Sequence, residues 1–290
     1  MGIQKRLSAG EFVVIAEMSP PKGIDISRMV TAAQRIRGRV DAVAVPDMEN
    51  GVMRLSALAG GSLMQQQGLE ALISVYGRDR NRLALQGDLL AAHVLGLQNL
   101  LVVSAEDMDQ GDHRDAPVVN DLDELELVRA ISTLQGGKDL AGFDLDGAPS
   151  FFMGCALGRY TNDAELDAEI KKAAARVDAG AKFVVAPPVF DVGHAGGMLD
   201  KLAALKVPVL PTVFLIKSVA VARYIATNEP QAGVSEDLIR RIRKAGDREQ
   251  ECLRIAGETV AALKKRAQGV VIQTLGWEHR LPAILDAAGL

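Results

Sequence analysis

One repeated couplet constrains this chain more than anything else in it. A short, β-branched apolar run is followed by an amphipathic segment rich in Ala and Leu, and the couplet recurs about eight times. The runs are Phe12–Glu17, Val40–Val45, Ala71–Val75, Asn99–Ser104, Phe151–Ala156, Lys182–Ala186, Val207–Val213 and Gly269–Thr274. Near-continuous apolarity, without strict alternation, suits parallel strands buried on both faces. Parallel neighbours need crossovers, and the amphipathic segments supply them. Ala164–Ala179 places Leu166, Ile170, Ala173 and Val177 on one helical face, with Asn162 or Asp163 able to cap it. Asp247–Gln268 does the same with Leu253, Ala256, Val260 and Leu263. Eight alternations within 290 residues predict an α/β fold, a single-domain (β/α)8 (TIM) barrel over residues 1–290. A doubly wound open sheet is the structural alternative, but no G-x-G-x-x-G follows an early strand and no P-loop is present.

Composition excludes several functions. A formal net charge of −4 gives no basic field for nucleic acid or anionic lipid. The first apolar run, flanked by Glu11 and Glu17, is too short and too acidic for a secretion signal, and no stretch approaches the ~20 apolar residues that span a bilayer. A cytoplasmic protein that binds neither membrane nor nucleic acid is expected. Cys155 and Cys252 have no framework spacing and read as reduced thiols. His93, His113, His194 and His279 lack metal-ligand spacing, so no metal site is expected.

In a barrel, the residue ending each strand faces the active-site mouth. That rule nominates Glu17, Asp47, Tyr76, Glu106 and Asp107, with the segments after Ala156, Ala186 and Thr274. Glu17 closes an apolar strand just before Pro20-Pro21, a setting that raises a carboxyl pKa and suits a general acid. The alternative is a strand-end carboxylate bonded to an arginine or to backbone amides. Arg78-Asp79-Arg80-Asn81 reads as an anion-recognition cluster or as a helix start with a solvated ion pair, and the second reading is preferred. Two long segments, Glu106–Leu122 and Leu215–Gly246, interrupt the rhythm and are expected to shape the pocket. In FVVAPPVFDVGHAGG, a proline pair beyond a strand and a Gly-rich loop would let backbone approach a ligand closely.

Several segments, in order, resemble the methylenetetrahydrofolate reductase family. They are FVVIAEMSPPKG, YGRDRNRLALQGDLLAAHVLGLQNLLVV, EDMDQGDHRDAPVVNDLD, FFMGCALG, KKAAARVDAGAKFVVAPPVFD, PVLPTVFLIKS and IQTLGWEHRL, which together cover nearly the whole chain. The resemblance implies an FAD-containing barrel (FMN being possible) that reduces 5,10-methylenetetrahydrofolate to 5-methyltetrahydrofolate in one-carbon metabolism and methionine biosynthesis. NAD(P)H or an electron-transfer protein would supply the electrons, and a homo-oligomer is expected. It implies Glu17 and Glu106 as catalytic residues, with Glu106 in the Ser104-Ala105-Glu106 turn where the family usually has an aspartate after a glycine. Ser74, Tyr76, Ser104, Ala105, Asn120, Leu157, Glu169, Lys172 and Arg176 are implied flavin contacts, the cations of the last group facing the diphosphate. Glu17, Glu106, Pro187 and Tyr224 are implied substrate contacts. Pro187 stands where the family has a pterin-binding carboxamide, and Pro46 where it has a threonine. Two other functions fit the same barrel mouth: a flavin-less, folate-binding methyltransferase component, and a subunit that docks a redox partner. No regulatory domain is expected after the barrel.

Overall fold

In the computed structural model, which describes residues 2–106 and 108–290, all eight strands are parallel and close into a barrel in chain order. They are β1 (Val13–Glu17), β2 (Ala42–Val45), β3 (Ala71–Val75), β4 (Asn99–Val102), β5 (Phe152–Ala156), β6 (Val184–Pro188), β7 (Val209–Phe214) and β8 (Gly269–Gln273). Closure is made by β1 pairing with β8, from Val13 opposite Gly269 to Ala16 opposite Ile272. The open-sheet alternative is thereby excluded.

The helices are α1 (Ile3–Ser8), α2 (Ser27–Ile36), α3 (Ala57–Gln66), α4 (Arg82–Val94), α5 (Glu124–Gln135) and α6 (Asp163–Ala179). They continue as α7 (Gly196–Ala203), α8 (Val219–Asn228), α9 (Glu236–Lys244), α10 (Arg248–Leu263) and α11 (Leu281–Ala287). Local chemistry sets their starts. Asn81, Asn162 and Asp247 accept the third backbone N–H of α4, α6 and α10, and Asp123 with Glu126 forms a full capping box at α5. Both helices expected from periodicity are present, and the cap of α6 is Asn162.

Two cores result. The larger lies between the barrel and its helices. The smaller fills the barrel from inside with Val13, Ile15, Leu72, Leu101, Phe152, Phe183, Val185, Leu210 and Val271. Phe152 and Phe183 stack at 5.2 Å, and Gly154 makes room for them, since a Cβ there would collide with the Phe183 ring. The amino-terminal end of the barrel is stoppered by α1, an element the periodicity did not reveal. Its Ile3 and Leu7 join the inner core. Arg6 pairs with Asp41 at 2.9 Å, and the Ile3 N–H donates to Glu70, which also accepts from Asn99.

The proline pair departs from the sequence expectation. Pro187 and Pro188 lie within the end of β6, and the register against β7 shifts between Ala186 and Pro188. A proline has no N–H to give a ladder, so the strand bulges where the pair sits. No helix among the described residues is long and apolar enough to cross a membrane.

Candidate active site

The inward alternation that fills the barrel continues to its carboxyl-terminal mouth. Two residues beyond Ile15 stands Glu17, and two beyond Val271 stands Gln273. Gln273 Nε2 donates to Glu17 Oε2 at 2.7 Å. Glu17 is only 8 % exposed. Burial, reinforced by the charges of Glu49, Glu278 and Glu106, pushes its carboxyl up to about 8, while the Gln273 hydrogen bond pulls the other way. Neither the arginine nor the backbone amides of the alternative sequence reading bond it among the described residues. A carboxyl that keeps its proton at neutral pH, at a barrel mouth, is equipped to be a general acid.

The loop after β2 carries the second carboxylate. Met48 and Asn50 sit in the left-handed region at φ 46° and 55°, and Gly51 follows at φ 64°. Such a run is held only when its surroundings over-determine it. Here Asn50 N–H donates to Glu106 Oε2 at 3.1 Å, and Gly51 packs on Gly111 so closely that a Cβ on Gly111 would meet the Gly51 carbonyl. Lys22, from the loop after β1, pairs with Asp112. The loops after β1, β2 and β4 are thus one interlocked rim. Glu49, within it, is pushed up by burial and by Glu106, and eased by Arg54 and Arg159.

Arg78 corrects the solvated ion pair expected of the RDRN stretch. Its side chain is 3 % exposed. It donates to the carbonyls of Glu106 (3.0 Å) and Met48 (2.9 Å), to the Tyr76 hydroxyl (3.2 Å) and to Asp79 (2.7 Å). A fork of five donors reaches four partners at once, which a lysine does not do. Arg80 bridges Asp47 and Asp88, at 2.7 and 2.9 Å, and Asn81 caps α4. The stretch is a helix start, as expected, but it is also the internal brace between the loops after β2, β3 and β4.

Beside the brace opens a cleft of about 240 Å³, lined by Tyr76, Val103, Ala105, Glu106, Asn120 and Leu122 among others. Burial raises the Tyr76 phenol above its ordinary range, so it stays neutral. Since its oxygen accepts from Arg78, its own proton remains to be donated. Asn120, exposed at φ 43°, offers a carboxamide, and Glu106 a carboxylate that is 30 % exposed. The lining is mixed, with Val103, Val118, Leu122 and Leu127 beside Arg78, Glu106, Asn120, Asp123 and Glu124, so the cleft offers both apolar contact and several donors and acceptors to a ligand. Its volume is a little below the roughly 300–1,000 Å³ usual for small-molecule pockets.

Ser74 is half-buried in β3, and Ser104 is exposed on the loop after β4. Leu157, buried, begins the loop after β5. Glu169 accepts from Gly158 N–H at 3.0 Å and from Lys172 at 2.7 Å, and only a glycine at 158 lets that carboxylate approach. Arg176, 2 % exposed, donates to the Ala156 carbonyl at 2.6 Å. Lys172 is 64 % exposed on the same helix, α6. Pro187 is half-buried at the end of β6, and Tyr224 on α8 is 65 % exposed. Asp107 lies outside the described residues. Sequence reasoning missed Gln273, Glu49, Glu278 and Arg159. The period-two rule applied to β8 would have found Gln273; the others sit on loops, whose course no periodicity predicts.

The fold and this mouth define a single-domain (β/α)8-barrel protein with a buried, protonated carboxyl ringed by carboxylates at the carboxyl ends of its strands. The chain belongs to the methylenetetrahydrofolate reductase family, whose sequence profile matches residues 2–289. Membership supports a folate-linked, one-carbon reductase activity, and the family generally binds a flavin. A comparison with curated protein sequences gives no match. Among solved structures, the chain is similar to tryptophan synthase from M. tuberculosis (TM-score 0.48, 15 % identity, 98 % of this chain and 93 % of that one). It is also similar to a lyase/mutase candidate from Burkholderia cenocepacia (TM-score 0.46, 15 % identity, 82 % and 93 %). Neither likeness bears on the reaction.

Proposed function

We propose that this protein reduces 5,10-methylenetetrahydrofolate to 5-methyltetrahydrofolate, with FAD as its cofactor and NAD(P)H or an electron-transfer protein as donor. The observation that carries the reading is Glu17, a carboxyl pushed up to about 8 by burial at the mouth of a barrel of this family. The methylene carbon of the substrate lies between two nitrogens and is not electrophilic enough to accept hydride. Protonating one nitrogen lets its C–N bond break, the electron pair moving onto that nitrogen, and leaves an iminium on the other. Glu17 holds the proton for this step and is left as a carboxylate. A flavin bound beside Tyr76, Ala105 and Asn120 would supply hydride chemistry to the iminium carbon.

The other residues bind and orient. Tyr76, Ala105 and Asn120 would hold the ring system, and exposed Lys172 and Arg159 would meet the diphosphate. Glu106 is suited to accept from the N–H groups of the pterin edge, which a carboxylate receives in pairs. The brace through Arg78 keeps Glu106 in place by its main chain.

The test is an absorption spectrum of the purified protein, followed anaerobically through NADH and then methylenetetrahydrofolate. Flavin bands that bleach with NADH and return with the folate are expected; bleaching by dithionite alone, with return on folate, assigns a protein donor. Protein that stays colourless after incubation with FAD or FMN would sink the proposal.

A further inference from the structure

We propose that Gln273 is a positioning residue for Glu17: its carboxamide, fixed on the adjacent strand, binds one carboxylate oxygen so that the proton is carried by the other. This rests on the reading of Glu17 as the acid. The geometry is set by the barrel's closure. Parallel pairing of β1 with β8 runs to Ala16 opposite Ile272, and one further step puts Glu17 beside Gln273. Both follow inward-facing core residues, Ile15 and Val271, at a spacing of two, so both side chains enter the mouth from neighbouring strands. The stem of Gln273 is held from its other side as well. Its carbonyl accepts from Leu215 N–H at 2.9 Å, and it stands next to Phe214 of β7 in register. The carboxamide thus reaches Glu17 Oε2 from a backbone clamped on two sides. Among the described residues, Oε1 has no hydrogen-bond partner.

The surroundings give that single bond its weight. Glu49 faces Glu17 from the loop after β2, Glu106 from the loop after β4, and Glu278 from the loop after β8. All three are acidic. The neighbouring cations turn elsewhere: Arg54 and Arg159 bear on Glu49, and Lys217, after β7, bonds the Leu275 carbonyl and lies over the Trp277 ring. Gln273 is therefore the group that favours ionised Glu17. Its N–H bond strengthens as negative charge develops on the carboxyl, so it stabilises the state after proton transfer more than the state before it. The proton leaves Oε1 for the substrate nitrogen, the C–N pair follows onto that nitrogen, and the charge left on Glu17 is met at Oε2.

The experiment replaces the amide by a side chain of similar length without the donor, Gln273→Met, in the flavin-loaded protein. Carboxyl carbon-13 NMR follows the Glu17 titration, assigned by its loss in Glu17→Gln, and stopped-flow follows flavin reoxidation by methylenetetrahydrofolate across pH. Losing one bond to a charged group predicts a Glu17 midpoint raised by about one pH unit and reoxidation slowed about ten-fold. Gln273→Asn, which keeps the donor, is expected to recover part of both. An unmoved midpoint and rate in Gln273→Met overturn the proposal, and so does a fall in rate with the midpoint unmoved. If Gln273→Met fails to fold, Gln273→Leu is read the same way. Failure of the underlying reading looks different: Glu17→Gln itself would then reoxidise at the wild-type rate, whatever Gln273→Met does.

Discussion

At the scale of single residues, the proposed chemistry centres on Glu17. Its sequence context, a glutamate closing an apolar strand, is enough to predict an elevated pKa, and burial at the mouth is the larger cause in the folded protein. The proposed reaction needs its protonated form, so folate-dependent reoxidation is expected to be full near pH 6 and to fall as pH passes about 8. Glu17→Gln should slow that half-reaction by about 10² or more, while NADH-driven bleaching of the flavin persists. Equal loss in both half-reactions, measured by stopped-flow, would defeat the acid assignment. The same group has a stability signature. A carboxyl raised from 4.5 to about 8 on folding contributes stability fully present below pH 4.5, and loses it as pH rises through about 8. Each unit of elevation is worth about 1.4 kcal/mol. Chemical denaturation of Glu17→Gln should therefore show a flatter pH dependence than wild type and higher stability at pH 9; identical slopes would refute the buried, neutral carboxyl.

Elements explain how such a residue is held. Strands carry Glu17, Gln273 and Ser74, but loops carry Glu49, Glu106 and Arg159, and loops need bracing. Arg78 is that brace, and its four contacts reach three consecutive βα loops. Arg78→Ala leaves the Met48 and Glu106 carbonyls without their donors, at about 1–3 kcal/mol each where buried. A clear fall in thermal midpoint and a looser flavin are expected, read by calorimetry and by flavin released on gel filtration. An unchanged midpoint would show that the rim stands without it. At the start of α10, the cap gives a smaller, cleaner expectation: Asp247→Ala should cost about 1 kcal/mol in urea denaturation with catalysis intact.

Across the whole molecule, closure of the barrel brings together residues more than 250 positions apart, such as Glu17 and Gln273. It also separates the amino-terminal face, where α1 packs, from the carboxyl-terminal face that carries the candidate site. The stopper α1 belongs to the first. Leu7→Ala opens a cavity under the inner core and should cost about 2–5 kcal/mol, without changing the pH profile of the folate step. A shifted profile would mean that the two faces are coupled through the barrel interior.

The strand–helix rhythm, the barrel, a cap for α6 at Asn162 or Asp163 and the candidacy of Glu17 could all be read from the chain alone. They are legible because buried parallel strands and amphipathic helices write their periods locally, and because a charged residue ending an apolar strand is conspicuous. The strand-end rule also nominated Tyr76 and Glu106, and the family resemblance added Asn120; the three line one cleft. That Arg78 is a buried brace rather than a solvated partner of Asp79, that Ile3 and Leu7 stopper the barrel, and that Gln273 meets Glu17 emerge only in the folded chain. Each of these depends on contacts between distant segments. Arg78 bonds loops about thirty residues away on either side, and Gln273 reaches Glu17 only once the last strand closes on the first. Such pairings are set by the register of strands and the course of loops, which no local pattern in the chain encodes.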